Sequence, residues 1–268
     1  GFVLSGLGLA LAMTGLASAG RHLVPVWVSI AAAAAGVVLI GLYIRHAARH
    51  PSPLVALDLL RVPSFRAGLV GGVLFRIGVG ASPFLLPLMF QLGFGLSPLQ
   101  SGLLTFASAA GAMIMKTMAT RILRDFGFRR VLTWNAIAAS AFLAAPGFFA
   151  IGTPVALMLA VLLVGGCFRS LQFTSLNVIV YADVPPGRMS SATSLVSVVQ
   201  QISISLGIAL GAAVLEGVAG WRGSHDLVAG DFLPAFLAVA GISASAALPL
   251  SRLTPTAGDE MAGRAIVA

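Results

Sequence analysis

Ala67–Leu92 reads AGLVGGVLFRIGVGASPFLLPLMFQL, and the only charge in it is Arg76. A membrane-spanning helix needs about 20 mostly apolar residues, and this run is long enough. A guanidinium near a bilayer midplane costs at least about 2.5–3.5 kcal/mol on insertion scales. The phrase Gly71-Gly72-Val73-Leu74-Phe75-Arg76 has a near copy in Gly165-Gly166-Cys167-Phe168-Arg169. Two such arginines in apolar surroundings point to a polar pathway across the membrane.

The rest of the chain agrees with a lipid solvent. Of 268 residues, 58% are hydrophobic and 9% charged, where soluble domains carry roughly 25% charged residues. The reading is an all-α integral membrane protein. Eight stretches qualify as transmembrane helices: 2–20, 24–44, 67–92, 99–120, 131–150, 154–180, 191–216 and 232–251. They are continuous rather than alternating, which excludes strands. The formal charge of +8 does not indicate nucleic acid, because the basic residues fall between apolar spans rather than on a wet face. The lone cysteine, Cys167, allows no intrachain disulfide. Residue 1 is Gly, and 2–20 is too long and too Gly-rich for a signal-peptide core. The expectation is a chain that begins partway through a larger protein.

Lys and Arg set the orientation. Of the 16 basic residues, eleven fall on one side of the predicted spans (Arg45, Arg49, Arg61, Arg66, Arg121, Arg124, Arg129, Arg130, Arg188, Arg252, Arg264). Arg21 and Arg222 lie opposite, and Arg76, Lys116 and Arg169 fall within spans. The rich side is expected to be cytoplasmic and to hold the C-terminus, in a multi-pass protein of the inner membrane. Lys116, close to Arg121, is placed to snorkel to the interface.

The segment 47–65 reads as a cytoplasmic amphipathic linker on Leu54, Leu57, Leu60 and Val62. It separates two helices (1–46) from a group of six (66–252). The tail, 253–268, is small and polar, and disorder is expected there. The six later spans divide into three plus three. Each triplet opens on the Gly-Gly…Phe-Arg phrase in opposite directions, the pattern of an inverted repeat.

Arg76 and Gln91 in one span, Arg169, Gln172 and Asn177 in another, and Gln200 in a third are the candidate substrate or cavity residues. Arg169 and Gln172 share a helix face at i, i+3. A water-accessible site for an anionic group is one reading. The other is a structural clamp of ion pairs or carbonyl contacts. No acidic residue lies mid-helix; Asp183 and Glu216 sit at span ends. Gly207 and Gly211 form a Gly-x-x-x-Gly pair that permits close helix packing. Pro83 and Pro87, after Gly78 and Gly80, mark either a hinge or a static kink. The histidines (His22, His46, His50, His225) lack metal-site spacing. No enzyme signature, cofactor motif or phosphate-binding loop is present, so ATP is not the expected energy source.

Thr120–Leu132, TRILRDFGFRRVL, resembles the cytoplasmic loop motif of the major facilitator superfamily. Gly127, Arg129 and Arg130 match that motif; Thr120 replaces its first glycine, and Arg124-Asp125 inverts its acid–base order. Leu85–Gly102 (LLPLMFQLGFGLSPLQSG), Gln200-Gln201 with Ser205–Ala209, and Pro53–Leu60 (PLVALDLL) resemble the fourteen-span drug:proton antiporter branch, the EmrB/QacA type. The resemblance covers nearly the whole chain. It implies that 1–46 holds two inserted linking helices and that 66–252 is the C-terminal six-helix half, a 3+3 inverted repeat. It implies alternating-access efflux of small organic compounds driven by a proton gradient, with no cofactor, and a partner N-terminal six-helix half. Gly127, Arg129, Arg130 and Asp125 would serve gating, and Arg76 and Arg169 would line the path. Two rivals stand beside it: a transporter of organic anions using both arginines, and a non-transporting eight-span scaffold or partner subunit.

Overall fold

The computed structural model describes residues 7, 8, 10, 11, 14, 15, 25–47, 57–223 and 227–263. The expected first span lies largely outside the described residues. So do residues 48–56 of the 47–65 linker, the last tail residues, His22, His50 and His225, and the His46 side chain.

Among the described residues the secondary structure is helical. α1 is Val26–Ala47. α2 (Pro63–Gly80) and α3 (Ser82–Leu88) run on through a π-helical turn, Met89–Gly93, as one apolar span. α4 is Pro98–Phe126, α5 Phe128–Ala144 and α6 Val155–Ile179. α7 is a 33-residue rod, Met189–Trp221. α8 (Phe232–Ser245) and the short α9 (Ala247–Ser251) close the bundle. Six of these helical stretches are long and apolar enough to cross a membrane, from Pro63 to Ser251.

Local chemistry sets the boundaries. Ser97 caps α4: its hydroxyl accepts from the Gln100 N–H at 3.3 Å, and its own N–H donates to Gln100 Oε1 at 2.9 Å. Pro98 then occupies the first turn, where no N–H is needed. α4 stops at Gly127, whose φ of 78° only glycine adopts without strain. At the opposite end of the bundle, the Asp231 carboxylate accepts from Arg222 at 2.7 Å and from the Val228 N–H at 2.9 Å. That ties the end of α7 to the start of α8. Pro83 falls in the first turn of α3, and Pro87 lies just before the π-helical turn.

The span 63–93 is the central one. Some 72% of its most apolar window is buried, against 28% for α4. α2 packs on α7 and α8 and also touches α6; α6 packs on α4 and α5; α5 packs on α8. Outward, α4 shows Leu103, Phe106, Met113 and Met118. Lys116 lies on this helix and is exposed.

Close crossings depend on glycine. A Cβ at Gly207 of α7 would strike the Ile77 carbonyl of α2, and one at Gly211 would sit 3.3 Å from Ala81 Cβ. In the α4–α6 crossing, a Cβ at Gly111 would strike the Leu163 carbonyl, and one at Gly166 the Ser108 carbonyl. Cys167 Sγ and Ser170 Oγ donate across that crossing to the Gly111 and Ala112 carbonyls, at 3.2 and 2.9 Å.

The tail departs from expectation. Residues 255–263 form a run of turns, and Leu253, Ala257 and Ala262 are buried with the main core. The physical reason is small size. Gly258 takes φ of 75° and lies against Phe128 and Ile179, a place a larger residue would not fit.

Candidate functional site

Three of the six candidate cavity residues meet at one atom. Arg76 Nη2 donates to Asn177 Oδ1 at 2.9 Å. Gln200 Nε2 reaches the same oxygen at 3.5 Å, the long limit of a hydrogen bond. The three come from α2, α6 and α7, so the site exists only because those helices pack together. Arg76 is buried, while Asn177 is exposed and Gln200 half-buried. The cluster therefore has an open side.

The guanidinium is seated by its surroundings. Its Cζ lies over the Phe173 ring, 5.5 Å from the centroid. Phe75 meets the same ring edge-on at 5.5 Å. A desolvated cation–π contact contributes about 2 kcal/mol. Gly72, one helical turn earlier, leaves the space that the Arg76 Nη1 atom fills. Gly71 makes room for Leu250 of α9 instead.

All the partners of Arg76 are neutral. A guanidinium has five donors, and Asn177 takes one. The positive charge stays uncompensated among the described residues. Chemically, this arrangement presents donors and a net cation to whatever enters from the Asn177 side.

Arg169 is elsewhere. It borders a separate cavity of about 30 Å³ with Val79, Ser82, Leu86 and Ser108. About 10–15 Å³ suffices for one water. Among the described residues Arg169 has no hydrogen-bond or ion-pair partner, and it shares no partner with Arg76. Gln91 is half-buried in the π-helical turn at the far end of the central span.

Gln172 turns another way. It is fully buried, donates to the Leu132 carbonyl at 3.1 Å and accepts from Asn135 Nδ2 at 2.8 Å. Asn135 also donates to the Phe168 carbonyl at 2.8 Å. This amide pair fastens α5 to α6. Sequence reading passed over Asn135, and it set Phe173 beside Arg169 and Gln172 rather than under Arg76. An amide inside an apolar span was the available signal for Asn135; the contact of Phe173 with Arg76 depends on how two helices cross.

At the end of the bundle rich in arginine, Arg129 Nε donates to the Ser251 carbonyl at 3.0 Å. Arg124 and Asp125 form an exposed pair at 3.6 Å. Asp58 accepts from Arg188 at 2.6 Å, and that hydrogen bond holds its carboxyl below the usual carboxylate range.

The family model of the Major Facilitator Superfamily matches residues 1–208 and 68–260. The chain belongs to the Major Facilitator Superfamily. Its relatives include proteins named putative multidrug resistance protein MdtD in Salmonella heidelberg strain SL476, Salmonella newport strain SL254 and Salmonella typhimurium strain LT2. Each is 35% identical over 227 residues, covering 82% of this chain and 47% of the relative. The chain thus spans about half the length of the curated relatives it matches. Superfamily membership and six apolar spans make it a multi-pass membrane protein.

Proposed function

We propose that the chain is the C-terminal part of a proton-coupled exporter of small organic compounds that works by alternating access. The observation that carries this is the convergence of Arg76, Asn177 and Gln200 from three helices on one oxygen, with an open side. The MdtD relatives, named as putative multidrug resistance proteins, support the efflux reading. In this proposal 1–46 holds two linking transmembrane helices, giving eight in all. Residues 47–65 are the linker, 66–252 the six-helix half, and 253–268 a cytoplasmic tail in an inner-membrane protein. An N-terminal six-helix half would be its partner.

A 3+3 inverted repeat organises the half. Exchanging α2 with α6, α4 with α7 and α5 with α8 turns the pair α2–α7 into α6–α4. It turns α2–α8 into α6–α5 and leaves α5–α8 unchanged. The glycine crossings follow the same exchange, since Gly207 meets a carbonyl of α2 and Gly111 a carbonyl of α6.

In the transport cycle, Arg76 would bind the substrate or a carboxylate whose protonation changes between steps. A nearby guanidinium lowers a carboxylate's pKa and so favours proton release. Asn177 and Gln200 would add neutral hydrogen bonds, and Arg169 and Gln91 would contact the path further along. Gln172 would hold α6 in register. Gly127, Arg129, Arg130 and Asp125 would belong to the gate.

A second reading, an organic-anion substrate, is favoured by one observation: neither Arg76, which is buried, nor Arg169, which is half-buried, has a carboxylate partner among the described residues. The test is transport into everted vesicles by the complete protein. Uptake should collapse with a proton uncoupler and fall in Arg76→Gln. Uptake insensitive to the uncoupler would end the proton-coupled reading. Export of acids that survives both Arg76→Gln and Arg169→Gln would end the anion reading.

A further inference from the structure

A larger cavity, mostly apolar with two arginines at its edge, opens at the arginine-rich end of the bundle, away from Arg76. It holds about 580 Å³ and is lined by Phe126, Arg129, Arg130, Thr133, Trp134 and Pro255, among others. That size falls in the range of small-ligand sites, roughly 300–1,000 Å³. Its two arginines are not consumed by the fold. Arg129 uses only Nε, on the Ser251 carbonyl. Arg130 is exposed and has no hydrogen-bond or ion-pair partner among the described residues.

The face of α5 leading away from the cavity is graded. Arg130, Trp134, Ile137 and Ala141 recur at helical spacing and are all exposed, Trp134 at 72% and Ile137 at 46%. Charge comes first, then an amphipathic ring, then aliphatic surface. This is the polarity profile of a phospholipid: phosphate, glycerol–ester zone, acyl chain. Trp favours the middle zone of that profile. Guanidinium groups suit phosphate through charge-assisted, often bidentate hydrogen bonds. Basic pockets between helices on the cytoplasmic side are a general form of anionic-headgroup site.

We infer that the cavity bounded by Arg129, Arg130 and Trp134 is a binding site for one anionic phospholipid, with its phosphate on the two arginines and its acyl chain along Trp134 and Ile137. Ser251 and Pro255 line the same cavity, so the bound headgroup would touch the start of the packed tail. The site shares Arg129 and Arg130 with the proposed gate, so the test reads lipid binding rather than transport.

The test is native mass spectrometry of the full-length protein in detergent, with phosphatidylglycerol and phosphatidylcholine of the same acyl chains. Wild type should retain phosphatidylglycerol preferentially. Arg130→Gln should lower that preference about fivefold, the size expected for one basic residue near a membrane surface. Arg130→Lys should restore most of it. Arg66→Gln, an exposed arginine at the same end outside the cavity, should leave it unchanged. Trp134→Ala should weaken retention of both lipids, and it carries the test if Arg130→Gln fails to fold. Equal losses in Arg130→Gln and Arg66→Gln would overturn the site in favour of diffuse surface charge. Complete displacement of the lipid by millimolar inorganic phosphate would overturn the lipid assignment in favour of a soluble anion. No preference in wild type, or full lipid retention in Trp134→Ala, would also overturn it.

Discussion

Arg76 and Arg169 follow nearly the same words in the sequence and have different surroundings. Arg76 sits in a furnished site, with an amide acceptor, an aromatic face and a glycine that makes room for it. Arg169 borders a small cavity with apolar side chains and two serines, and no described residue pairs with it. The glycines before each arginine also differ. Gly72 accommodates its own arginine, whereas Gly166 accommodates the backbone of α4. One phrase builds a binding group; the other builds a helix crossing. The lesson is that the chemistry of a recurring phrase is decided by what packs against it.

The sharpest way to break the contrast is to remove each charge in turn. Arg76→Gln should reduce transport about tenfold to a hundredfold, matching the 1.5–3 kcal/mol of a hydrogen bond to a charged group. Arg169→Gln should cost less, because no neighbouring residue has been arranged around it. Equal effects in a vesicle transport assay would dissolve the distinction. Asn177→Asp sharpens it further: a carboxylate beside Arg76 neutralises the site, so any preference for acidic substrates should vanish in competition measurements.

Next in size are the crossings. Gly111→Val or Gly166→Val forces α4 and α6 apart and should cost about 1–3 kcal/mol by overpacking, read as a lower Tm in detergent. Gly72→Ala meets only the end of a flexible arginine, so Tm should barely move while transport falls through a displaced guanidinium. A large Tm loss in Gly72→Ala would place it with Gly166 instead.

Gln172→Ala removes the buried acceptor of Asn135 and the donor to the Leu132 carbonyl. Stranding such groups costs about 1–3 kcal/mol. Tm should fall while substrate selectivity stays put; altered selectivity would return Gln172 to the transport path.

The smallest effect belongs to Asp58 and Arg188 at the surface. The Asp58 pKa is lowered by its hydrogen bond to Arg188. The stability it lends is therefore present above the ordinary carboxylate range and lost as pH falls through the lowered value. The Tm difference between wild type and Asp58→Asn should be small and constant from pH 8 to about pH 5, the reference carboxyl titrating near 3.9. It should shrink only in more acidic buffer.

Much of this was legible in the chain. Long apolar runs fix the spans because a bilayer leaves the backbone no partner but itself. Arg76, Asn177 and Gln200 were readable one by one, as polar groups that lipid penalises. Their meeting was not, because it depends on how α2, α6 and α7 cross, and no single helix carries that register. Spacing put Gln172 beside Arg169 on one face; packing gave its amide to Asn135 on another helix. The tail reads as polar and small, yet smallness is what lets Gly258 settle against Phe128 and Ile179 while Ala257 joins the main core.

The 33 residues of α7, at a rise of about 1.5 Å each, make a shaft of about 50 Å. The hydrocarbon slab it crosses is about 30 Å thick. Even at a customary inclination of about 20°, a third of its length must stand clear of the oil. A thicker bilayer would swallow more of that overhang, and the chain should therefore respond to membrane thickness chiefly through α7.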